Sequence, residues 1–234
     1  MNKRILIPTL GPTDWRRLLS VPQEHWKRGR SAFETSISWE YAADSKRGLP
    51  DGICAAFDQV VELRDAEVLM AIPEHEVALK GRGQGSHSDV WALLKTGAKY
   101  ISLSVEGKAG EEFGDPIPQW LSTSNRTSRW HDLCKILQVP PSPVPNLRYQ
   151  LFHRTASSIL EAQRFVISHA VMIVQNFPSV NAKWSDFEQF VIHLGAQPVR
   201  GRIVNVPRSD SIMLFLGWID CSAATDSQVC QTVE

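Results

Sequence analysis

The sequence predicts an α/β protein built on a mixed β-sheet flanked by helices. Two observations carry most of this prediction: a β-hairpin between Ser86 and Lys108, and a continuous apolar segment over residues 171–177. Amphipathic segments around them complete the order helix, three strands, helices, strand, helix, strand. This order is typical of an α/β sandwich with both parallel and antiparallel strands.

The elements ahead of the hairpin are two helices and a strand. One helix is expected over residues 13–19 with Thr13 as its N-cap, and a second over residues 31–43. The apolar side of the second helix comprises Phe33, Ile37 and Tyr41. A strand over residues 67–79 follows, and Pro73 within it favours a position at the edge of the sheet or a bend.

Helices and strands continue after the hairpin. Residues 118–137 fit one or two helices, and Asn146 is a candidate N-cap for a helix through residue 165. Residues 171–177 read as a central strand buried on both faces, and residues 212–219 as a last strand. Between them, residues 185–188 (SDFE) match a capping box that opens a helix ending at Gly195.

The hairpin register brings two carboxylates together. With Gly97 and Ala98 as a two-residue turn, Val90 faces Val105 and the same register places Asp89 opposite Glu106. Opposed residues share a face of the sheet, and Lys108 joins it because it lies two residues beyond Glu106. The hairpin should therefore present an Asp, a Glu and a Lys on its polar face.

Opposed carboxylates repel unless a cation lies between them or one of them is protonated. Mg²⁺ or Mn²⁺ fits such a gap, since hard divalent ions take carboxylate oxygens and keep waters for chemistry. We therefore predict that Asp89 and Glu106 bind the metal. Lys108 would orient the attacking water or offset charge that develops on a phosphate. The alternative is an ordinary solvated hairpin with a Glu/Lys pair.

The acid on one strand followed by E-x-K on the next resembles the PD-(D/E)XK nuclease superfamily. Asp89 matches the first acid, while Glu106 and Lys108 match the second motif; Ser88 stands where the motif's name has Pro. The segments GPTDW, VEGK and RYQLFHRTASS also resemble a bacterial family of unassigned function usually placed in that superfamily, over most of residues 11–218. The resemblance implies a restriction-endonuclease-like core.

The same resemblance suggests additional site residues. Superfamily members often supply a further acid from a helix ahead of the hairpin, which here is Glu40 or Glu34. Some place a Gln and other polar residues on the helix after the hairpin. The corresponding candidates here are Gln150, His153 and Arg154.

Composition narrows the class of protein. The 234 residues include 43% hydrophobic ones, enough for one sizeable core, so we expect a single domain over 1–220 and a flexible tail over 221–234. No apolar run approaches the roughly 20 residues that span a bilayer, and no signal peptide is evident, so we expect a cytoplasmic protein. Cys54, Cys134, Cys221 and Cys230 form no C-x-x-C pair, which excludes a structural zinc motif of that type.

Charge is balanced overall but unevenly distributed. Net charge is zero, which argues against a broad basic surface for nucleic acid. Residues 1–50 nevertheless carry nine Lys/Arg against five Asp/Glu, and residues 27–30 (KRGR) could meet phosphates beside the acidic hairpin. Walker A, G-x-S-x-G, H-E-x-x-H and Rossmann glycine motifs are absent from the sequence.

The sequence therefore favours a metal-dependent phosphodiesterase that hydrolyses DNA in preference to RNA. Two alternatives stay open: a nuclease-like domain without catalysis that binds nucleic acid or a protein, and an enzyme acting on a small phosphorylated molecule. The expected partner is nucleic acid, a homodimer is compatible with the sequence, and no membrane is expected.

Overall fold

The strands form one mixed sheet. The computed structural model describes residues 9, 11–81, 84–123, 126–180 and 183–228. Within them the sheet comprises β1 (Glu67–Val77), β2 (Ser86–Thr96), β3 (Lys99–Lys108), β4 (His169–Asn176), β5 (Ile203–Val206) and β6 (Met213–Asp220). Their spatial order is β1-β2-β3-β4-β6-β5. β3, β4 and β6 are parallel neighbours, whereas β1, β2 and β5 pair antiparallel with theirs, so the mixed sheet is confirmed.

Helices cover both faces of this sheet. They are α1 (Pro12–Trp15), α2 (Pro22–His25), α3 (Ser31–Ala43), α4 (Asp51–Asp58), α5 (Ile117–Leu121), α6 (Thr127–Leu137), α7 (Tyr149–Arg164) and α8 (Trp184–His193). A short 3₁₀ turn over Arg16–Leu18 follows α1. None of the described helices is both long enough and apolar enough to cross a bilayer.

Successive side chains of each strand point to opposite faces of the sheet, so the core consists of two layers. On one face, Val90, Ala92 and Leu103 pack with residues of α3 and α4. On the other face, alternate residues of β4 and β6 pack with α5 to α8. β4 contributes to both layers because all eight of its residues are buried, as expected for a strand between two parallel neighbours.

Several sequence predictions are confirmed. α3 spans the predicted residues, β1 lies at the edge of the sheet with Pro73 inside it, and residues 118–137 contain two helices. Edge placement tolerates Pro73, because proline has no backbone N–H to donate and an edge strand pairs with a neighbour on one side only. The apolar side predicted for α3 is only partly right, since Ile37 is buried but Tyr41 is 50% exposed.

Predictions of helix starts were wrong in three places. α1 begins at Pro12, not Thr13. α7 begins at Tyr149, because Arg148 forms a β-bridge with Pro116 and Asn146 takes a left-handed turn with φ of 73°. α8 begins at Trp184, so the predicted capping box does not cap; Asp186 instead accepts a hydrogen bond from Arg148 Nε at 3.0 Å. Arg148 makes a tertiary contact next to the start of α7 and another in the first turn of α8.

Three elements were missed, and all are short. α2 and β5 have four residues each and α4 has eight, too few for a clear period. Beyond β6, the backbone N–H of Ala224 donates to Glu34 Oε2 at 2.7 Å. Residues 229–234 of the predicted tail, including Cys230, lie outside the described part of the chain.

Candidate active site

The β2–β3 hairpin has the register that the sequence predicted. Val90 pairs with Val105, Leu94 with Ile101, and Thr96 with Lys99 across the two-residue turn. The paired ladder ends at Val90 and Val105. Asp89 and Glu106, the next positions outward, therefore lie where the two strands begin to separate.

Asp89 fills the gap between the separating strands. Its Oδ2 accepts a hydrogen bond from the backbone N–H of Gly107 at 2.6 Å. No side chain fits at residue 107, because a Cβ there would lie 2.2 Å from Thr35 Oγ1 and 3.1 Å from Asp89 Oδ2. Gly107 thus lets α3 and the Asp89 carboxylate approach the same stretch of backbone.

Glu106 is buried among hydrogen-bond donors. The residue is 3% exposed. Its Oε1 accepts from Lys108 Nζ and from Gln150 Nε2, each at 2.8 Å, and its Oε2 accepts from Arg154 Nε at 2.5 Å. Burial alone would raise the pKa of Glu106, but the charges of Arg154 and Lys108 hold it below its usual value. Glu106 is therefore ionised.

Lys108 is also buried, at 6% exposure. Besides its bond to Glu106, its Nζ donates to Gln150 Oε1 at 3.1 Å and lies 5.0 Å from the centre of the Phe113 ring. The alternative of an ordinary solvated hairpin face is wrong for Glu106 and Lys108, because α7 and Phe113 cover this part of the sheet. The ammonium is thus fixed by three neighbours.

The three α7 candidates lie at or beside this cluster. Gln150 bonds both Glu106 and Lys108, and Arg154 bonds Glu106 and, through Nη1, Ser86 Oγ at 3.1 Å. His153 reaches the cluster through Ser86, which also bonds Arg154; the distance from His153 Nδ1 to Ser86 Oγ is 2.8 Å. Burial, and then the charge of Arg154, lower the pKa of His153 well below 6.5, so its imidazole is neutral. These residues meet because the first two turns of α7 pass over β3.

Glu74 is a site residue that the sequence reasoning missed. The pairs Pro73–Val90 and His75–Ser88 flank it, so Glu74 lies opposite Asp89 on β1. Burial and then the Asp89 charge raise the pKa of Glu74 to about 9. Burial and then the Glu106 charge raise that of Asp89 to about 7. The signal was a Glu beside a proline in an edge strand, but its left-handed backbone, with φ of 49°, is not encoded in any local pattern.

Glu34 and Glu40 do not join the cluster. Glu34 Oε1 accepts the backbone N–H of Gly29 at 2.8 Å, and Glu40 Oε1 accepts Trp15 Nε1 at 2.7 Å. Both residues lie on α3, which packs against the opposite face of the sheet. Their oxygens stabilise neighbouring segments there, so the helix ahead of the hairpin supplies no acid to the site.

The free oxygens at the site suit a divalent ion with few protein ligands. Within the described ranges, no three His, Cys, Asp or Glu side chains are already arranged around one point. Asp89 Oδ1 and the Glu74 carboxyl, however, make no hydrogen bond to any described residue. Mg²⁺ is commonly held by one or two carboxylates with several waters. The donor set therefore fits Mg²⁺ or Mn²⁺ in an open site.

Comparison with known proteins gives a family but no function. No curated protein matches the chain significantly, and no solved structure does. The model of a domain of unknown function, DUF6946, matches residues 8–223. This confirms the expected likeness to a family of unassigned function, and the match carries no superfamily assignment. Since it covers most of the sequence, the chain belongs to the DUF6946 family.

Proposed function

We propose that the protein is a metal-dependent phosphodiesterase of the PD-(D/E)XK type that hydrolyses DNA, or secondarily RNA. The observation that supports this most is the meeting of Asp89, Glu106 and Lys108 where β2 and β3 separate. The spacing of these residues is that of the superfamily motif. The restriction-endonuclease-like assignment of the core belongs to the same proposal.

The chemistry follows from the cluster. A bound Mg²⁺ or Mn²⁺ would supply a Lewis acid for a phosphate oxygen and lower the pKa of water. Asp89 would hold the ion through the oxygen that Gly107 leaves free. Glu106, the second predicted ligand, would offer the ion one lone pair of Oε2 and would orient the site through its bonds to Lys108 and Arg154. The two buried cations would stabilise negative charge that develops on the phosphate.

A basic loop beside the cluster supports a nucleic-acid substrate. Lys27, Arg28 and Arg30 are exposed, and they directly precede Ser31, the first residue of α3. Ser31 lies beside Gly107 on the α3 side of the sheet, where a Cβ on Gly107 would be 3.5 Å from Ser31 Cβ and 3.1 Å from Asp89 Oδ2. Phosphates neighbouring the scissile one could therefore meet these residues, and zero net charge does not preclude such a local basic patch.

One observation favours the alternative of a binding domain without catalysis. Lys108 and Arg154 already neutralise Glu106, and Gln150 occupies the remaining direction at Oε1. Such a cluster is stable without a metal. In that case the same basic loop would bind nucleic acid and no bond would be broken.

Cleavage of mixed substrates separates these functions. The chain would be incubated with single- and double-stranded DNA and RNA, and with a small phosphodiester, with and without Mg²⁺ or Mn²⁺. We expect metal-dependent cleavage of DNA that Asp89→Asn abolishes. Binding without cleavage under every condition would favour the binding domain. Cleavage of the small diester alone would indicate that the natural substrate is a small phosphorylated molecule.

A further inference from the structure

Resting on the proposed metal dependence, we propose that the site loads a single divalent ion, held between Glu74 and Asp89. Arg154 then takes the place that a second ion would occupy beside Glu106. Glu74 thereby becomes a ligand contributed by the edge strand β1, which lies outside the E-x-K hairpin.

The position of Glu74 supports its role as a ligand. It lies opposite Asp89 across the β1–β2 pair, which keeps one register from Met70 to Val77. Its left-handed backbone departs from the extended conformation of its neighbours. Such a conformation at a non-glycine residue costs about 1–2 kcal/mol and persists only where the surroundings impose it. The Glu74 carboxyl is near enough to Asp89 for the two charges to interact, and it makes no hydrogen bond to any described residue.

The oxygens of Glu106 are mostly occupied. A carboxylate oxygen has two lone pairs, and Oε1 accepts from both Lys108 and Gln150. Oε2 accepts from Arg154 Nε, whose guanidinium is itself held by Ser86 Oγ. Glu106 can thus offer at most one lone pair to an ion. It cannot chelate one, and it cannot bridge two.

Charge also limits the site to one ion. When Glu74, Asp89 and Glu106 are all ionised, they carry three negative charges. Lys108 and Arg154 carry two positive charges, so the net charge of the cluster is −1. One divalent ion would reverse this to a single positive unit, which a substrate phosphate offsets. A second ion would add two further positive charges beside a buried arginine, and burying uncompensated charge is strongly unfavourable.

Titration with Mn²⁺ tests this inference without any substrate. Electron paramagnetic resonance of free Mn²⁺, combined with calorimetry on the full chain, gives the number of ions and their affinity. We expect one ion per chain. Glu74→Gln and Asp89→Asn should each weaken binding by about tenfold or more, and Glu106→Gln by clearly less. Glu67→Gln, an exposed acid at the start of the same strand, is the matched control and should bind as the wild type does.

The outcomes are distinct from those of the cleavage assay. Two ions per wild-type chain, or wild-type affinity in a folded Glu74→Gln variant, would overturn the inference. Absence of Mn²⁺ binding would overturn it together with the metal dependence. One ion bound with the expected ranking of variants would support it, even if no substrate were cleaved.

Discussion

The Asp89 carboxylate accepts the backbone N–H of Gly107 at the point where the β2–β3 ladder ends. One contact therefore joins the acid of the first strand to the residue between Glu106 and Lys108. On the other side of the sheet, Thr35 of α3 packs directly against the same glycine. The site geometry consequently depends on a position without a side chain.

Gly107→Ala should destabilise the fold by about 2–3 kcal/mol, because the new Cβ would overlap Thr35 Oγ1. Urea unfolding measures the loss. Adding Thr35→Ala removes the overlapping oxygen and should recover part of the stability, whereas adding Thr35→Ser keeps that oxygen and should recover little. Equal stability of wild type and Gly107→Ala would show that α3 does not pack this closely.

Lys108→Ala should lower the single-turnover cleavage rate by about two orders of magnitude, the usual effect of losing one positioned group. Substrate affinity should change little, since one lysine is one contact among several. The variant should also lose about 3 kcal/mol of stability, because removing one partner of a buried ion pair leaves Glu106 less compensated. Lys99→Ala, at the exposed start of β3, is the control. Unchanged cleavage by Lys108→Ala would remove this residue from the mechanism.

Mn²⁺ affinity should rise between about pH 6 and 9, because the pKa values of Asp89 and Glu74 are raised to about 7 and about 9. Both values exceed those of an unfolded chain, so the folded protein retains protons that the unfolded chain has released. Stability without metal should accordingly fall as pH rises through this range. Thermal melts with and without Mn²⁺ test both trends. An affinity independent of pH would contradict them.

Arg154→Met should destabilise the protein by about 3 kcal/mol, since Glu106 loses a buried partner. The double variant Arg154→Met/Glu106→Gln should cost less than the two single changes together, because the neutral Gln does not need the guanidinium. Denaturant unfolding of the four proteins gives the coupling energy. Strict additivity would mean that the pair contributes nothing beyond packing.

Lys27→Ala and Arg30→Ala should weaken nucleic-acid binding across sequences and reduce its dependence on salt by about one unit of slope each. Arg28→Ala should have a smaller effect, because Arg28 Nη1 already pairs with Asp226 at 2.5 Å. Fluorescence anisotropy at several salt concentrations measures the slopes. Unchanged slopes for Lys27→Ala and Arg30→Ala would place the phosphates elsewhere.

Local patterns determined most of the elements. Alternation and a two-residue turn set the β2–β3 register, and with it the pairing that brings Asp89 and Glu106 together. The period of two excludes slips by one residue, and the turn selects one of the remaining registers. The apolar run of β4 likewise identified a central strand. Short elements such as α4 and β5 were not predicted, because a few residues do not establish a hydrophobic period.

The sequence by itself thus determined the hairpin and the face shared by Asp89, Glu106 and Lys108. Only the tertiary structure decided which residues surround that face. α7 places Arg154 on Glu106, and α3 directs Glu34 and Glu40 away from it. The pairing of β1 with β2 brings a third carboxyl, that of Glu74, opposite Asp89. The physical reason is that register follows from periodicity within a segment, whereas contacts between helices and strands depend on how separate segments pack.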